Sequence, residues 1–221
     1  MKQIPSLTDL TIGSIFCIGR NYQKHAEELG NTVPDQPMVF LKPSSSIIGD
    51  DEAIILPAQS KEVHHEVELV IAIGKKGKNI PGKNALEYIA GYGLGIDVTA
   101  RDIQQQAKEN GHPWSVAKGF DTFAPVSSFF PIDETTDFGA MDISLSVNGK
   151  KRQNGNTRNM IFSVAELIAY LSTIFTLYPG DLIFTGTPEG VSPIKSGDSI
   201  LASLNNNKIT LNISVRRNGD T

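Results

Sequence analysis

The chain has 221 residues, 20 basic against 24 acidic side chains, a single cysteine and a hydrophobic fraction of 39%. That composition suits a folded protein with a substantial core and excludes disordered, collagen-like and disulfide-stapled classes. The formal charge of −4 argues against a nucleic-acid binder, which carries a basic patch or stripe. No apolar run approaches the ~20 residues of a membrane span. The opening Met1-Lys2-Gln3-Ile4-Pro5 lacks the apolar centre of a signal peptide, so a cytoplasmic protein is expected. Cys17 sits in the apolar run Ile15-Phe16-Cys17-Ile18 and reads as a small buried hydrophobe.

In chain order, residues 14–18 and 38–41 read as short strands. Between them a short polar helix is expected over 22–29, closed by Gly30. Val67–Ile73 alternates, with Val67, Leu69, Ile71 and Ile73 on one face. Strands follow at 92–98 and 143–147, separated by a helix over 100–109 that stops before Asn110-Gly111. Asn148-Gly149 signals a hairpin. A helix over 163–177 carries the capping box Ser163/Glu166 and the stripe Val164, Leu167, Ile168, Leu171. Pro179-Gly180-Asp181 signals a second hairpin before a strand at 182–185. Ser199–Leu204 and 209–215 complete the set. Strands dominate and mostly do not alternate with helices, which predicts an α+β, strand-dominated architecture. Gly91-x-Gly93-x-Gly95 lies inside a strand and lacks the spacing of a phosphate-binding loop.

Four segments carry candidate chemistry. In His64-His65-Glu66-Val67-Glu68-Leu69 the two glutamates share one strand face, ~7 Å apart. They repel each other unless a cation sits between them. Asp97 ends an apolar strand just before a helix and offers a third carboxylate; three hard oxygen ligands suit Mg²⁺ or Mn²⁺. The pattern fits equally the solvent face of an edge strand. His64 and His65 point to opposite faces and do not make a zinc site; His65 reads as a polar residue at a strand start. His25 and Glu28, three apart on a helix, form either a general-base pair or a surface ion pair. Arg101 and Gln104 share a helix face after Asp97. Lys118 stands in an otherwise apolar stretch, where it needs a partner or must snorkel. Phe184-Thr185-Gly186-Thr187-Pro188-Glu189-Gly190 runs a strand into a turn that can offer a hydroxyl and backbone N–H groups to an anion.

Taken together, Gly19-Arg20-Asn21-Tyr22-x-x-His25, Phe40-Leu41-Lys42-Pro43, the HHExEL run at 64–69, the GIDVTARDxQ run at 95–104, Trp114-Ser115-x-Ala117-Lys118-Gly119-Phe120-Asp121, Met160-Ile161-Phe162-Ser163 and the PGDLIFTGTPEGV run at 179–191 resemble, in order, the motifs of the fumarylacetoacetate hydrolase family. The resemblance runs from about residue 15 to 204 and is nearest to the short acylpyruvase and oxaloacetate decarboxylase members. It implies one catalytic domain over 1–221, built as a mixed β-sandwich roll with few helices, and a homodimer. The longer members carry a further N-terminal domain, for which this chain begins too close to its first motif.

By that resemblance, Glu66, Glu68 and Asp97 ligate one Mg²⁺ or Mn²⁺, and His25 and Glu28 form a catalytic dyad on a helix that closes as a lid. Lys118 and Gln104 meet the substrate and its oxyanion, and Arg20, Arg101 and Thr187 lie near the substrate carboxylate or the metal. The implied enzyme acts on 2-oxo acids through a pyruvate enolate, by hydrolytic cleavage of acylpyruvates or decarboxylation of oxaloacetate. An isomerase or tautomerase acting on oxaloacetate or on a 2-hydroxy-hepta-2,4-dienedioate type of diacid is the alternative. A metal-dependent binding protein without turnover is the more remote one. Mobility is expected at 31–36, just after the dyad helix.

Overall fold

The computed structural model describes residues 2–28, 30 and 32–217. Strands dominate, as the sequence predicts, and two five-stranded mixed sheets form the frame. The first runs in the order Met38–Lys42, Ile15–Gly19, Leu182–Phe184, Val67–Ile73, Ile89–Ile96. Leu182–Phe184 lies parallel to Ile15–Gly19 and antiparallel to Val67–Ile73, which pairs antiparallel with Ile89–Ile96. The second runs Lys150–Asn156, Asp142–Val147, Ser199–Leu204, Ile209–Arg217, Ala53–Leu56.

Every residue of Val67–Ile73 is buried, because this strand has a core on each side. Val67, Leu69, Ile71 and Ile73 join Ile143, Leu145, Ile200 and Leu211 of the second sheet in the larger cluster. Val70 and Ala72 turn the other way, toward Cys17, Phe129, Leu182 and Phe184. Period-two alternation therefore separates two buried faces here, and Glu68 belongs to the second. The edge-strand reading of Glu66 and Glu68 is excluded by that position. Gly95 lets the neighbouring strand approach this closely: a Cβ there would lie 2.5 Å from the Phe184 ring and 2.6 Å from Val70.

The helices fall where expected, with shorter ends. Gln23–Glu28 is helical; the residues expected to extend it and begin the mobile segment, Leu29 and Asn31, lie outside the described residues. Arg101–Asn110 closes at Gly111, whose φ of +66° forms a left-handed cap. Val164–Ile174 has both halves of the Ser163/Glu166 capping box and ends at Ile174, three residues before the expected terminus, with Phe175 as its C-cap. Asn148 and Gly149 make the expected tight turn, both with positive φ. The strand they lead into, Lys150–Asn156, is polar and was not anticipated.

Pro179-Gly180-Asp181 does turn the chain, with φ +95° at Gly180, but it makes no hairpin. The strand after it pairs with Ile15–Gly19 and Val67–Ile73 instead. The short helix Ser115–Lys118 was also missed, being four residues without a periodic stripe.

Candidate metal centre and substrate cleft

The strand directions bring the four motifs together. Phe184 pairs with both Cys17 and Val70, and Val67 pairs with Ile96. One end of the sheet thus receives Gly19 and Arg20, Thr185 to Thr187, Glu66 and Glu68, and Asp97. The Asp97 N–H donates to the Glu66 carbonyl at 2.8 Å, which fixes the two side chains opposite each other. Glu66, Glu68 and Asp97 each place a carboxylate oxygen within 4.8 Å of the others. They are only 5%, 2% and 1% exposed.

Three buried carboxylates require cations. Lys118 Nζ donates to Glu66 Oε2 at 2.8 Å and to Asp97 Oδ2 at 2.5 Å. Arg101 Nη2 donates to Glu66 Oε1. Although burial alone would raise its pKa, Glu66 is held well below the ordinary carboxylate range by Lys118 and Arg101. Lys118 is itself desolvated, yet Asp97 and Glu66 raise its pKa. The snorkelling alternative for Lys118 is ruled out by this burial.

Glu68 fares differently. Its one backbone donor is the Gly186 N–H, at 2.7 Å. Burial and the Asp97 charge push its pKa well above the usual value.

Beneath the triad lies a residue that the motif reading quoted but gave no role. Lys42, from Phe40-Leu41-Lys42-Pro43, has a fully buried side chain. Its ammonium donates to the carbonyls of Val98, Lys118 and Phe123, which uses all three protons. Asp97 Oδ1 lies 2.7 Å from the same nitrogen yet accepts no hydrogen bond. The contact is purely Coulombic and leaves an oxygen lone pair free. The Glu68 carboxylate and this Asp97 oxygen, both hard donors, fit a divalent cation.

His25 is 5% exposed, so the surface-pair reading fails. Its Nδ1 lies 3.6 Å from Glu28 Oε2. Burial lowers its pKa, which keeps the imidazole neutral near pH 7. Glu28 accepts from the Gly190 N–H at 3.1 Å, tying the short helix to the turn at 185–190. Asn21 adds a second tie, its amide donating to the Thr185 and Phe162 carbonyls. The turn's N–H groups at Gly186 and Gly190 are thus spent on Glu68 and Glu28, not offered to an anionic ligand as expected. Gly186, at φ +100°, supplies the backbone geometry.

Arg20, His25, Glu66, Glu68, Asp97, Arg101, Gln104, Lys118 and Thr187 line one solvent-open cleft. Glu28 stands behind His25. Met38, Phe40, Lys108 and Trp114 complete the walls and were not anticipated. Arg101 Nη1 donates to Gln104 Oε1 at 2.6 Å, so the Gln104 amide N–H₂ is left as a donor.

A polar chain backs Thr187. Gln153 Nε2 donates to Thr187 Oγ1 at 2.8 Å, Gln153 Oε1 meets His65 Nδ1 at 2.8 Å, and His65 Nε2 meets Ser192 Oγ at 2.8 Å. His65 is wholly buried, unlike the strand-start polar residue expected. Gln153 gave no sequence signal, being one amide in a polar strand.

A carboxylate triad buried where the strand ends meet, on the wall of an open cleft, is a candidate metal centre of an enzyme. Residues 14–215 match the family model described as fumarylacetoacetate (FAA) hydrolase C-terminal. The chain belongs to that family. It is 50% identical over 190 residues to the mitochondrial oxaloacetate tautomerase of Arabidopsis thaliana, covering 86% of this chain and 85% of that protein. It is 50% identical over 187 residues to the mitochondrial oxaloacetate decarboxylase of Dictyostelium discoideum, covering 84% and 86%. The crystal structure of fumarylpyruvate hydrolase from Pseudomonas aeruginosa with Mn²⁺ and pyruvate superposes with a TM-score of 0.91. That pair is 36% identical, with 98% and 96% of the two chains covered.

Proposed function

We propose that this chain is a Mg²⁺- or Mn²⁺-dependent enzyme acting on small 2-oxo acids through their enolates, with oxaloacetate and acylpyruvates as substrates. The observation that carries the reading is the buried triad Glu66, Glu68 and Asp97, its donor oxygens within 4.8 Å of one another. These three residues hold the ion. When bound, the ion supplies Lewis acidity that favours the enolate of a 2-oxo acid chelating it. The likeness to oxaloacetate enzymes and to a fumarylpyruvate hydrolase with Mn²⁺ and pyruvate supports both the cation and the substrate class.

The protein groups supply the rest. His25, neutral and buried beside Glu28, takes a proton from water in acylpyruvate cleavage, and Glu28 orients its ring. The free Gln104 amide and the Lys118 ammonium donate to the developing oxyanion. Arg101 and the Thr187 hydroxyl position the substrate carboxylate. In cleavage the bond between the attacked carbonyl carbon and C3 breaks, leaving a carboxylic acid and pyruvate enolate. In oxaloacetate decarboxylation the electron pair of the carboxylate carbon bond passes into the same enolate, and no water is consumed. The tautomerase relatives favour a second outcome at this site, in which His25 only moves a proton between carbon and oxygen.

The test is a substrate panel of oxaloacetate, acetylpyruvate, fumarylpyruvate and a hydroxymuconate-type diacid. It is run after stripping with EDTA and again after adding back Mg²⁺ or Mn²⁺. Turnover should vanish on stripping and return with the ion. Full activity in the stripped protein refutes the reading.

A further inference from the structure

The cleft divides by charge and depth. Its floor holds the carboxylate triad with Lys118 and Arg101 paired to it. Its half-buried rim carries two more cations, Arg20 and Lys108. Among the described residues, no carboxylate lies within ion-pair distance of either. The Lys108 ammonium meets the Trp114 ring, 5.7 Å from its centre, which steadies the charge without neutralising it. Arg101 lines the same cleft, its charge met by Glu66 and its buried Nε without a hydrogen-bond partner. Arg20 and Lys108 add like charge to that wall. The Lys108 pKa is lowered accordingly, by burial first and then by Arg101 and Arg20.

The backbone agrees. Arg20 follows a strand with φ +58°, a left-handed conformation that costs a non-glycine residue free energy and collects at ligand sites. Asn21, with its three hydrogen bonds to Phe162 and Thr185, holds the strained residue in place, aimed into the cleft.

We propose that Lys108 and Arg20 form a subsite for the second carboxylate of a 2-oxo dicarboxylic acid, with Lys108 the residue that selects dianionic over monoanionic substrates. This rests on the reading of the triad as the seat of the 2-oxo acid end. With that end on the floor, a chain of a few carbons brings its far terminus to the rim. There a carboxylate finds two unpaired cations, and a methyl group instead strands them next to an apolar surface. Charge-assisted hydrogen bonds to such groups discriminate by roughly ten- to a hundredfold.

The test uses a matched pair that differs only at the far end: 2-oxoglutarate and 2-oxopentanoate. Each is titrated calorimetrically into the Mg²⁺-loaded protein at low ionic strength. The wild type should bind 2-oxoglutarate at least tenfold more tightly. Lys108→Met should erase most of that preference, and Lys108→Arg should restore it. No preference in the wild type overturns the proposal, as does a preference that Lys108→Met leaves intact. Turnover is read separately on oxaloacetate. A wild type inactive toward every 2-oxo acid refutes the proposed function, while the matched pair still decides whether the rim selects dianions.

Discussion

Lys42 offers the most demanding check on the electrostatics. Lys42→Met keeps the length and much of the volume of the stem, which already packs near the Phe123 ring, but removes the charge and three donors. The carbonyls of Val98, Lys118 and Phe123 lose a partner, and Asp97 Oδ1 loses the cation 2.7 Å away. Removing one partner of a buried ion pair costs about 3–5 kcal/mol, a large share of the roughly 5–15 kcal/mol that separates folded from unfolded states.

With EDTA present, urea unfolding of Lys42→Met should therefore show a midpoint well below wild type at an unchanged slope. A divalent ion on the triad compensates Asp97 in its own way, and the absent lysine no longer repels it. At saturating Mg²⁺ the deficit should shrink to about 1–3 kcal/mol, the cost of unpaired buried carbonyls. A deficit that is equal with and without Mg²⁺ would show that Lys42 is not the counter-charge of Asp97. No deficit at all would refute the argument from burial.

The other predictions concern protons. The Glu68 carboxyl is held above its ordinary pKa by burial and by Asp97, and a bound cation favours its ionised form, so metal binding should release protons and weaken as pH falls; calorimetry in buffers of different ionisation enthalpy measures this. Glu68→Gln should bind Mn²⁺ more weakly with the fold retained, and proton release unchanged in that variant contradicts the assignment. Burial holds the His65 pKa down at about 4, against 6.5 for an ordinary imidazole. Below pH 6.5 the unfolded chain takes up a proton that the folded state refuses until about pH 4, so stability should fall across that window by up to about 3 kcal/mol. In His65→Gln the pH dependence should be flatter by that amount, and an identical profile counts against the buried, neutral imidazole. His25→Ala should slow acylpyruvate cleavage roughly 10²–10⁴-fold and oxaloacetate decarboxylation far less. Equal losses on both substrates mean that His25 is not the base that activates water.

Much of the frame is local and was legible in the sequence. The alternation of Val67–Ile73, the Ser163/Glu166 cap, the turn at Asn148-Gly149 and the stop at Gly111 depend on neighbours a few residues apart. Ordered motifs along the chain also named the residues of the cleft, because a resemblance records what a distant geometry requires without showing the geometry. Spacing alone left Glu66 and Glu68 between a solvent face and a metal site. The solvent face was excluded by a second core, in which that side of their strand is buried among Cys17, Phe129 and Phe184. Burial likewise excluded the exposed readings of His25, whose partner Glu28 lies on its own helix, and of Lys118, whose partners Glu66 and Asp97 lie far off in the chain.

Lys42, Gln153 and Lys108 were beyond the reach of pattern. A lysine in an apolar strand, an amide in a polar one and a lysine on a helix have no periodic signature. Their meaning comes from what faces them: three carbonyls and Asp97, the Thr187 hydroxyl, and an indole at the rim of a cationic cleft. Desolvation and Coulomb energy depend on distances between residues far apart in the chain. Only the folded arrangement sets those distances, and with them which carboxylate has its pKa raised, which oxygen stays free for a cation and which lysine is left without a counter-charge among the described residues.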